Sequence, residues 1–244
     1  MKKITGIIFF TIIFAIEVSA KKEEIQYDLK FGIIKGGEAS LIINDTKFNN
    51  KNAIHYYLVG QTTGITNAMF GIYDIYETTV DAETRLPLKA IRNIKEKNYR
   101  SYNETLFYHD IDSINSQRNG WQAVPNNLVD IISVFFYFIN KQMFEEIEKG
   151  HTVTLPTYHA GKISDVAIKY SGEERIDTNL GKIDCFILSP IIEKGKLFNR
   201  SDGLKFYISK EKKIPVLLEF DMRAGTLRAI LKSYHIDGVA QTAR

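Results

Sequence analysis

Cysteine is almost absent: Cys185 is the only one in 244 residues. No internal disulfide can form, and no thiolate metal cluster can be built. Cys185 lies in the strand-like run Ile183-Asp184-Cys185-Phe186-Ile187-Leu188, which predicts a buried, inert thiol. An excess of either charge is also lacking, with 32 basic and 29 acidic residues. The basic residues are dispersed, so no nucleic-acid footprint is expected. After the first twenty residues no apolar run is long enough to span a bilayer, which needs ~20 residues. The common catalytic signatures are missing: no Gly-x-Ser-x-Gly elbow, no His-Glu-x-x-His and no phosphate-binding glycine loop. No catalytic residue, cofactor site or metal ligand is therefore expected. His55, His109, His151, His159 and Asp165 could be drawn together as a metal or acid–base cluster, but exposed turn histidines are the simpler reading.

What is present begins with a tripartite N-terminus. Lys2 and Lys3 precede an apolar stretch from Ile4 to Ile16, and Val18-Ser19-Ala20 supplies small residues before Lys21. This pattern predicts an export signal over 1–20, cleaved after Ala20, and a periplasmic or secreted mature chain. The expected organisation is a single β-rich domain over 21–238 and a short tail over 239–244.

Strand patterns dominate the mature chain. Ile25, Tyr27, Leu29, Phe31 and Ile33 alternate with polar residues and glycine, as in a strand with one buried face. Gly36-Gly37 reads as the following reversal and Ala39–Ile43 as the return strand. Two stretches share one spacing: Val80 to Pro87, and Ile208 to Pro215. Each predicts a strand, a polar turn and a second strand opening on proline, which suits the first residue of a strand. They are either an internal repeat or one hairpin chemistry used twice. From Thr152 on, short strand patterns separated by glycines predict an antiparallel meander.

One segment has helical periodicity, Pro125 to Lys149. Leu128, Ile131, Ile132, Phe135 and Ile139 share a face, and Val129, Val134, Phe136 and Phe138 flank it. Asp130, Ser133, Tyr137, Asn140 and Lys141 form a narrow polar seam expected to face solvent or the open mouth of a sheet. Asn127 is the expected N-cap and Gly150 the stop. So wide an apolar arc predicts a helix with strands curved round it. The expected fold is thus mainly β with one central helix, an antiparallel meander curved into an incomplete barrel around it. Gly64 to Gly71 reads equally as a short helix or a loop.

The opening Tyr27-Asp-Leu-Lys-Phe-Gly-Ile-Ile-Lys-Gly-Gly-Glu-Ala, the stretch Asn126-Asn-Leu-Val-Asp-Ile-Ile-Ser and Gly181-Lys-Ile-Asp-Cys-Phe form an ordered set. Pro190-Ile-Ile-Glu-Lys-Gly-Lys-Leu-Phe, Phe206-Tyr-Ile-Ser-Lys-Glu-Lys-Lys-Ile-Pro and Ala224-Gly-Thr-Leu complete it. Together they resemble the bacterial domain-of-unknown-function family 3108, in its Bacteroidetes style, over nearly all of the mature chain. The resemblance implies export and carries no activity. Where that family usually has an Asp-Asp-type turn, this chain has Lys210-Glu211-Lys212-Lys213. The strand–turn–Pro–strand element resembles, more loosely, the outer-membrane lipoprotein carriers, incomplete barrels that hold helices in their concave face and bind lipid chains; fold alone does not transfer function.

Three functions are compatible with these features. One is an exported periplasmic module that binds an apolar or lipid-like ligand between sheet and helix, lined by Ile131, Phe135, Phe138 and Met143. The second is a structural or interaction protein of the envelope with a filled core and an envelope protein as partner. The third is a glycan-acting enzyme using scattered carboxylates. An enclosed cavity above ~300 Å³ would favour the first, and a packed interior the second.

Overall fold

The computed structural model describes residues 21–141, 148–191, 203–223 and 225–242. The expected signal segment therefore lies outside the described residues. The first strands, β1 (Lys22–Phe31), β2 (Ile34–Phe48) and β3 (Lys51–Thr62), lead into a helix of about two turns, α1 (Gly64–Phe70). Strands β4 (Tyr73–Asp81), β5 (Pro87–Glu96), β6 (Tyr99–Tyr108), β7 (Ser113–Ser116) and β8 (Gly120–Ala123) follow. A two-residue strand β9 (Val129–Asp130) precedes helix α2 (Ser133–Asn140). The second half holds β10 (Thr152–His159), β11 (Lys162–Thr178), β12 (Gly181–Ile191), β13 (Leu204–Ser209), β14 (Pro215–Met222), β15 (Gly225–Ile236) and β16 (Val239–Ala240).

All strands belong to one sheet, ordered β8-β7-β6-β5-β4-β3-β2-β1-β15-β14-β13-β12-β11-β10-β9, with β16 beside β15. Pairing is antiparallel throughout except that β9 runs parallel to β10. The halves are joined where β1 pairs with β15, so the first and last long strands lie at the middle of the sheet. A twisted sheet of this width curls, and here its two ends come face to face. Phe107 of β6 and Ile114 of β7 pack with Leu128 and with Tyr158 of β10. The Asn119 amide donates to the Gly161 carbonyl across the same gap at 3.4 Å. No ladder joins these ends among the described residues, so the sheet is mixed, rolled and not closed into a barrel.

The two matching hairpins take the same form. In the first, the Arg85 amide donates to the Asp81 carbonyl (2.9 Å) and Arg85 has φ +65°. In the second, Lys213 donates to Ser209 (3.0 Å) with φ +57°. Val80 then pairs with Pro87, and Ile208 with Pro215, each next to a register shift.

Three expectations are corrected. The reversal after β1 is Gly32-Ile33, not Gly36-Gly37, and Gly32 takes φ +58°. Gly37 lies inside β2, where a Cβ would collide with the Gln61 carbonyl. The short, glycine-separated strands expected from Thr152 on are not all separate: β11 runs unbroken through Gly172, with a register shift between Tyr170 and Gly172.

The third correction concerns the single central helix expected over 125–149. The described residues hold two short helices, and α2 spans Ser133–Asn140. Leu128 and Val129, assigned to the helix by periodicity, are fully buried in an extended segment, and Asn127 takes φ +55° rather than the geometry of an N-cap. Residues 142–147 lie outside the described ones.

α2 is nevertheless deeply packed. Phe136 stacks on Tyr56 of β3 with ring centroids 4.0 Å apart. Val134, Phe138 and Ile139 join Leu155, Ile168, Leu188 and Ile208 in a second apolar cluster. Val134 and Phe138 are 0% exposed. Burial of large side chains at ~1.5–3 kcal/mol each makes this the principal force holding the second half against the helix.

Candidate functional site

Where the ends of the rolled sheet meet, polar side chains also face inward beside the apolar contact of Phe107, Ile114 and Leu128. On β5, Arg92 lies between Ala90 and the buried Ile94 in the strand's period of two, which turns the guanidinium into the roll. Thr78 of β4, and Ser101 and Thr105 of β6, are buried beside it. From the opposite end come Asp130 of β9 and Tyr158 and His159 of β10. A cleft lined by Arg92, Thr78, Thr105, Asp130, Tyr158 and His159, with Tyr76, Asn103, Arg118 and Ile131, encloses about 40 Å³ and opens to solvent. That is room for more than one water, since a single water needs ~10–15 Å³.

Asp130 is held by its own segment and by a strand 52 residues away. Its Oδ1 accepts hydrogen bonds from Thr78 Oγ1 (2.8 Å) and from the amides of Ile132 (2.8 Å) and Ser133 (3.2 Å). The Asp130 amide in turn donates to Ser133 Oγ at 2.9 Å. This is a reciprocal cap on the first turn of α2, satisfying amides that a helix leaves unpaired. Burial pushes the Asp130 carboxyl above the ordinary carboxylate range, against the pull of its hydrogen bonds from Ser133, Ile132 and Thr78. The same burial, with the nearby Arg92 charge, holds His159 below its usual value. Tyr76 is raised by burial despite the Arg92 guanidinium beside it.

The cleft gathers groups with no partner. Among the described residues, Arg92 Nε, Asp130 Oδ2 and Tyr158 OH are buried and make no hydrogen bond. Asp28 Oδ1 also makes none, but it stands 2.8 Å from Lys35 Nζ and is neutralised there. So, of the four such atoms among the described residues, the three that also lack an ion-pair partner belong to residues lining one cleft. Leaving such an atom unpaired costs ~1–3 kcal/mol, and more when it is charged. A second depression, on the other face of the sheet, is lined by His55, Glu77, Thr79, Lys89 and Ile91. Its polar groups already have partners: His55 Nε2 meets Glu77 at 3.1 Å, and Lys89 pairs with Glu104 at 3.0 Å.

Of the residues expected to line an apolar site, Ile131 reaches the cleft. Phe135 does not: it is half-buried and meets Phe206 edge-on, with centroids 4.5 Å apart. Phe138 is wholly enclosed in the core, and Met143 lies outside the described residues. Of the polar seam expected to face solvent or the open mouth of the sheet, Asp130 lines the cleft but is only 3% exposed, Ser133 is buried at 0%, and Lys141 is exposed. The histidines do not converge. His109 Nε2 lies 2.8 Å from the Pro87 carbonyl, His55 pairs with Glu77, and His159 stacks on Tyr76. No group of three potential metal ligands occurs among the described residues.

Sequence reasoning missed Arg92, Thr78 and Tyr158. One signal was available: Arg92 interrupts the inward series Leu88, Ala90, Ile94, and a charge at such a position is rarely left there without purpose. Tyr158 and Thr78 carried no comparable signal, because only the roll of the sheet brings them to the cleft.

The model of a family described as "Protein of unknown function (DUF3108)" matches residues 26–232. Comparison with curated proteins gives no match. Among solved structures, the chain is similar to a beta-barrel-like protein of domain of unknown function DUF1849 from Brucella abortus. The identity is 9%, the TM-score 0.57, and the alignment covers 88% of this chain and 97% of that one. At that identity the likeness concerns the fold alone. A DUF1089 family protein from Pseudomonas aeruginosa aligns at 8% identity over 88% of this chain and 91% of its own, with a TM-score of 0.30, and carries no argument.

Proposed function

We propose, from the premise that this chain belongs to the DUF3108 family of proteins of unknown function, that it is an exported binding module of the cell envelope whose ligand site is the cleft between the ends of the sheet. One observation carries the reading: among the described residues, the three buried polar atoms that lack both a hydrogen bond and an ion-pair partner, Arg92 Nε, Asp130 Oδ2 and Tyr158 OH, all belong to residues lining that cleft. Native interiors pair such atoms, and exceptions cluster where a ligand or water supplies the missing bond. The ligand enters by a small, acceptor-bearing end, because the cleft encloses only about 40 Å³. Ile131 and Ile132 on the lining offer an apolar contact to the remainder, as an amphiphile would need. Export is inferred from the tripartite N-terminus.

The filled core around α2 favours a second reading, an envelope interaction protein without a ligand. Neither the cleft nor the depression at His55 separates α2 from the strands its apolar face covers. A glycan-acting enzyme finds less support. Of the two acids lining the cleft, Glu77 commits its carboxylate to His55, leaving Asp130 without the second carboxylate such hydrolysis uses.

Native mass spectrometry on the protein purified from its own cell envelope tests the proposal. The expected result is a mass beginning at Lys21, with an additional small-molecule adduct that Tyr158→Phe weakens. An intact Met1 terminus would remove export, and a bare polypeptide mass under mild ionisation would favour the second reading.

A further inference from the structure

We infer that the cleft binds an oxyanion, a carboxylate or phosphate-ester group, on the Arg92 guanidinium, with Tyr158 OH as a second donor. This rests on the reading of the cleft as the ligand site and names what that site selects. Arg92 is half-buried and faces inward. Its Nη1 donates to Ser101 Oγ at 3.2 Å, while Nε is buried with no partner. None of the ion pairs among the described residues includes Arg92. A guanidinium taken from water without a counter-charge is costly, and its planar fork matches the two oxygens of a carboxylate or phosphate.

The surroundings favour an anion over a neutral ligand. Arg118 adds a second positive charge at the exposed rim of the cleft. Glu77 is turned to His55 on the far face of the sheet, so it does not neutralise the site. Asp130 is the one acid committed to the interior there. Its Oδ1 is occupied by three donors, and burial raises its carboxyl above the ordinary carboxylate range, which weakens the negative charge it sets against an anion. A sugar hydroxyl could satisfy the Tyr158 hydroxyl but would leave the guanidinium uncompensated.

The test titrates the mature protein calorimetrically at low ionic strength. The probes are inorganic phosphate, acetate, dihexanoyl phosphatidic acid and neutral methyl glucoside; the proteins are wild type, Arg92→Met and Tyr158→Phe. At least one anion should bind wild type. Its affinity should fall about tenfold or more in Arg92→Met and severalfold in Tyr158→Phe, as for loss of charge-assisted hydrogen bonds. Binding of phosphate and phosphatidic acid alike would assign a phosphate group. Binding of phosphatidic acid alone would assign a lipid headgroup, and of acetate, a carboxylate. Anion binding that both variants retain would overturn the inference by placing the anion elsewhere. Binding of methyl glucoside without any anion would overturn it while leaving the cleft as a ligand site, and binding of no probe would count against both readings. Tyr158→Phe removes one hydroxyl and leaves the ring in place, so it decides the matter even if Arg92→Met fails to fold.

Discussion

Replacing Asp130 probes the joint between the two ends of the sheet. Asp130→Ala strips the acceptor from three donors, the Thr78 hydroxyl and the amides of Ile132 and Ser133, all bonded to Oδ1. An unsatisfied buried donor costs ~1–3 kcal/mol, and neighbours relax, so the loss should total ~3–5 kcal/mol. That is a large part of a typical domain's stability of ~5–15 kcal/mol. Asp130→Asn keeps the accepting oxygen and should cost far less near neutral pH. The two variants also differ in pH dependence. Burial raises the Asp130 pKa in the folded state. Its stabilising contribution is therefore complete below the unfolded value of ~3.9 and is lost as pH rises through the folded value, at no more than ~1.36 kcal/mol per pH unit. Asparagine does not titrate, so Asp130→Asn should gain on wild type as pH rises above the unfolded value of ~3.9 and until it passes the raised folded value. Urea denaturation followed by far-UV circular dichroism at a series of pH values measures this. Comparing the variant with wild type cancels the opposite trend of surface carboxylates such as Asp81, held low by the Thr84 amide. Parallel curves would refute the burial argument, and an asparagine variant as damaged as the alanine one would refute the capping role of Oδ1.

Phe138 is 0% exposed, so Phe138→Ala should cost ~3–5 kcal/mol, more than Phe135→Ala at its half-buried position. Lys141→Ala, at the exposed end of the same helix, should stay within about 0.5 kcal/mol in the same denaturation assay. Cys185 is 0% exposed, and burial, followed by the charges of Asp184 and Glu174, pushes its thiol up to about 12. A bulky disulfide reagent should therefore label it only on unfolding, and Cys185→Ala should cost ~1 kcal/mol or a little more; rapid labelling of the native protein would contradict the burial.

Much of the sheet was legible because strand signals are local. Alternation in β1 gives Ile25 and Tyr27 as buried and Gln26 as exposed from the sequence alone. The two hairpins ending at Pro87 and Pro215 were equally readable: proline fixes where a strand can begin, and the polar turn before it supplies Arg85 and Lys213 at positive φ. Family membership followed from the same ordered motifs. Composition also determined that one cysteine forms no bridge.

The segment from Leu128 to Ile139 could not be read locally. A run that is apolar on most sides satisfies a buried strand and a buried helix alike. Only the tertiary structure decides that Val129 and Asp130 pair with β10 before α2 begins at Ser133. The reason is a bond between distant residues: Asp130 meets Thr78 52 positions away, and its remaining hydrogen bonds then start the helix three residues on. The turn after β1 was misplaced for a similar cause. Gly36-Gly37 has the better turn chemistry, but Gly37 is held within β2 opposite Thr62 of β3, close to the Gln61 carbonyl, and the reversal falls at Gly32-Ile33 instead. The cleft belongs to this second kind of information. Residues on β4, β5, β9 and β10 know nothing of one another in sequence, and they become a site only because a sheet too wide to stay flat rolls until its ends meet.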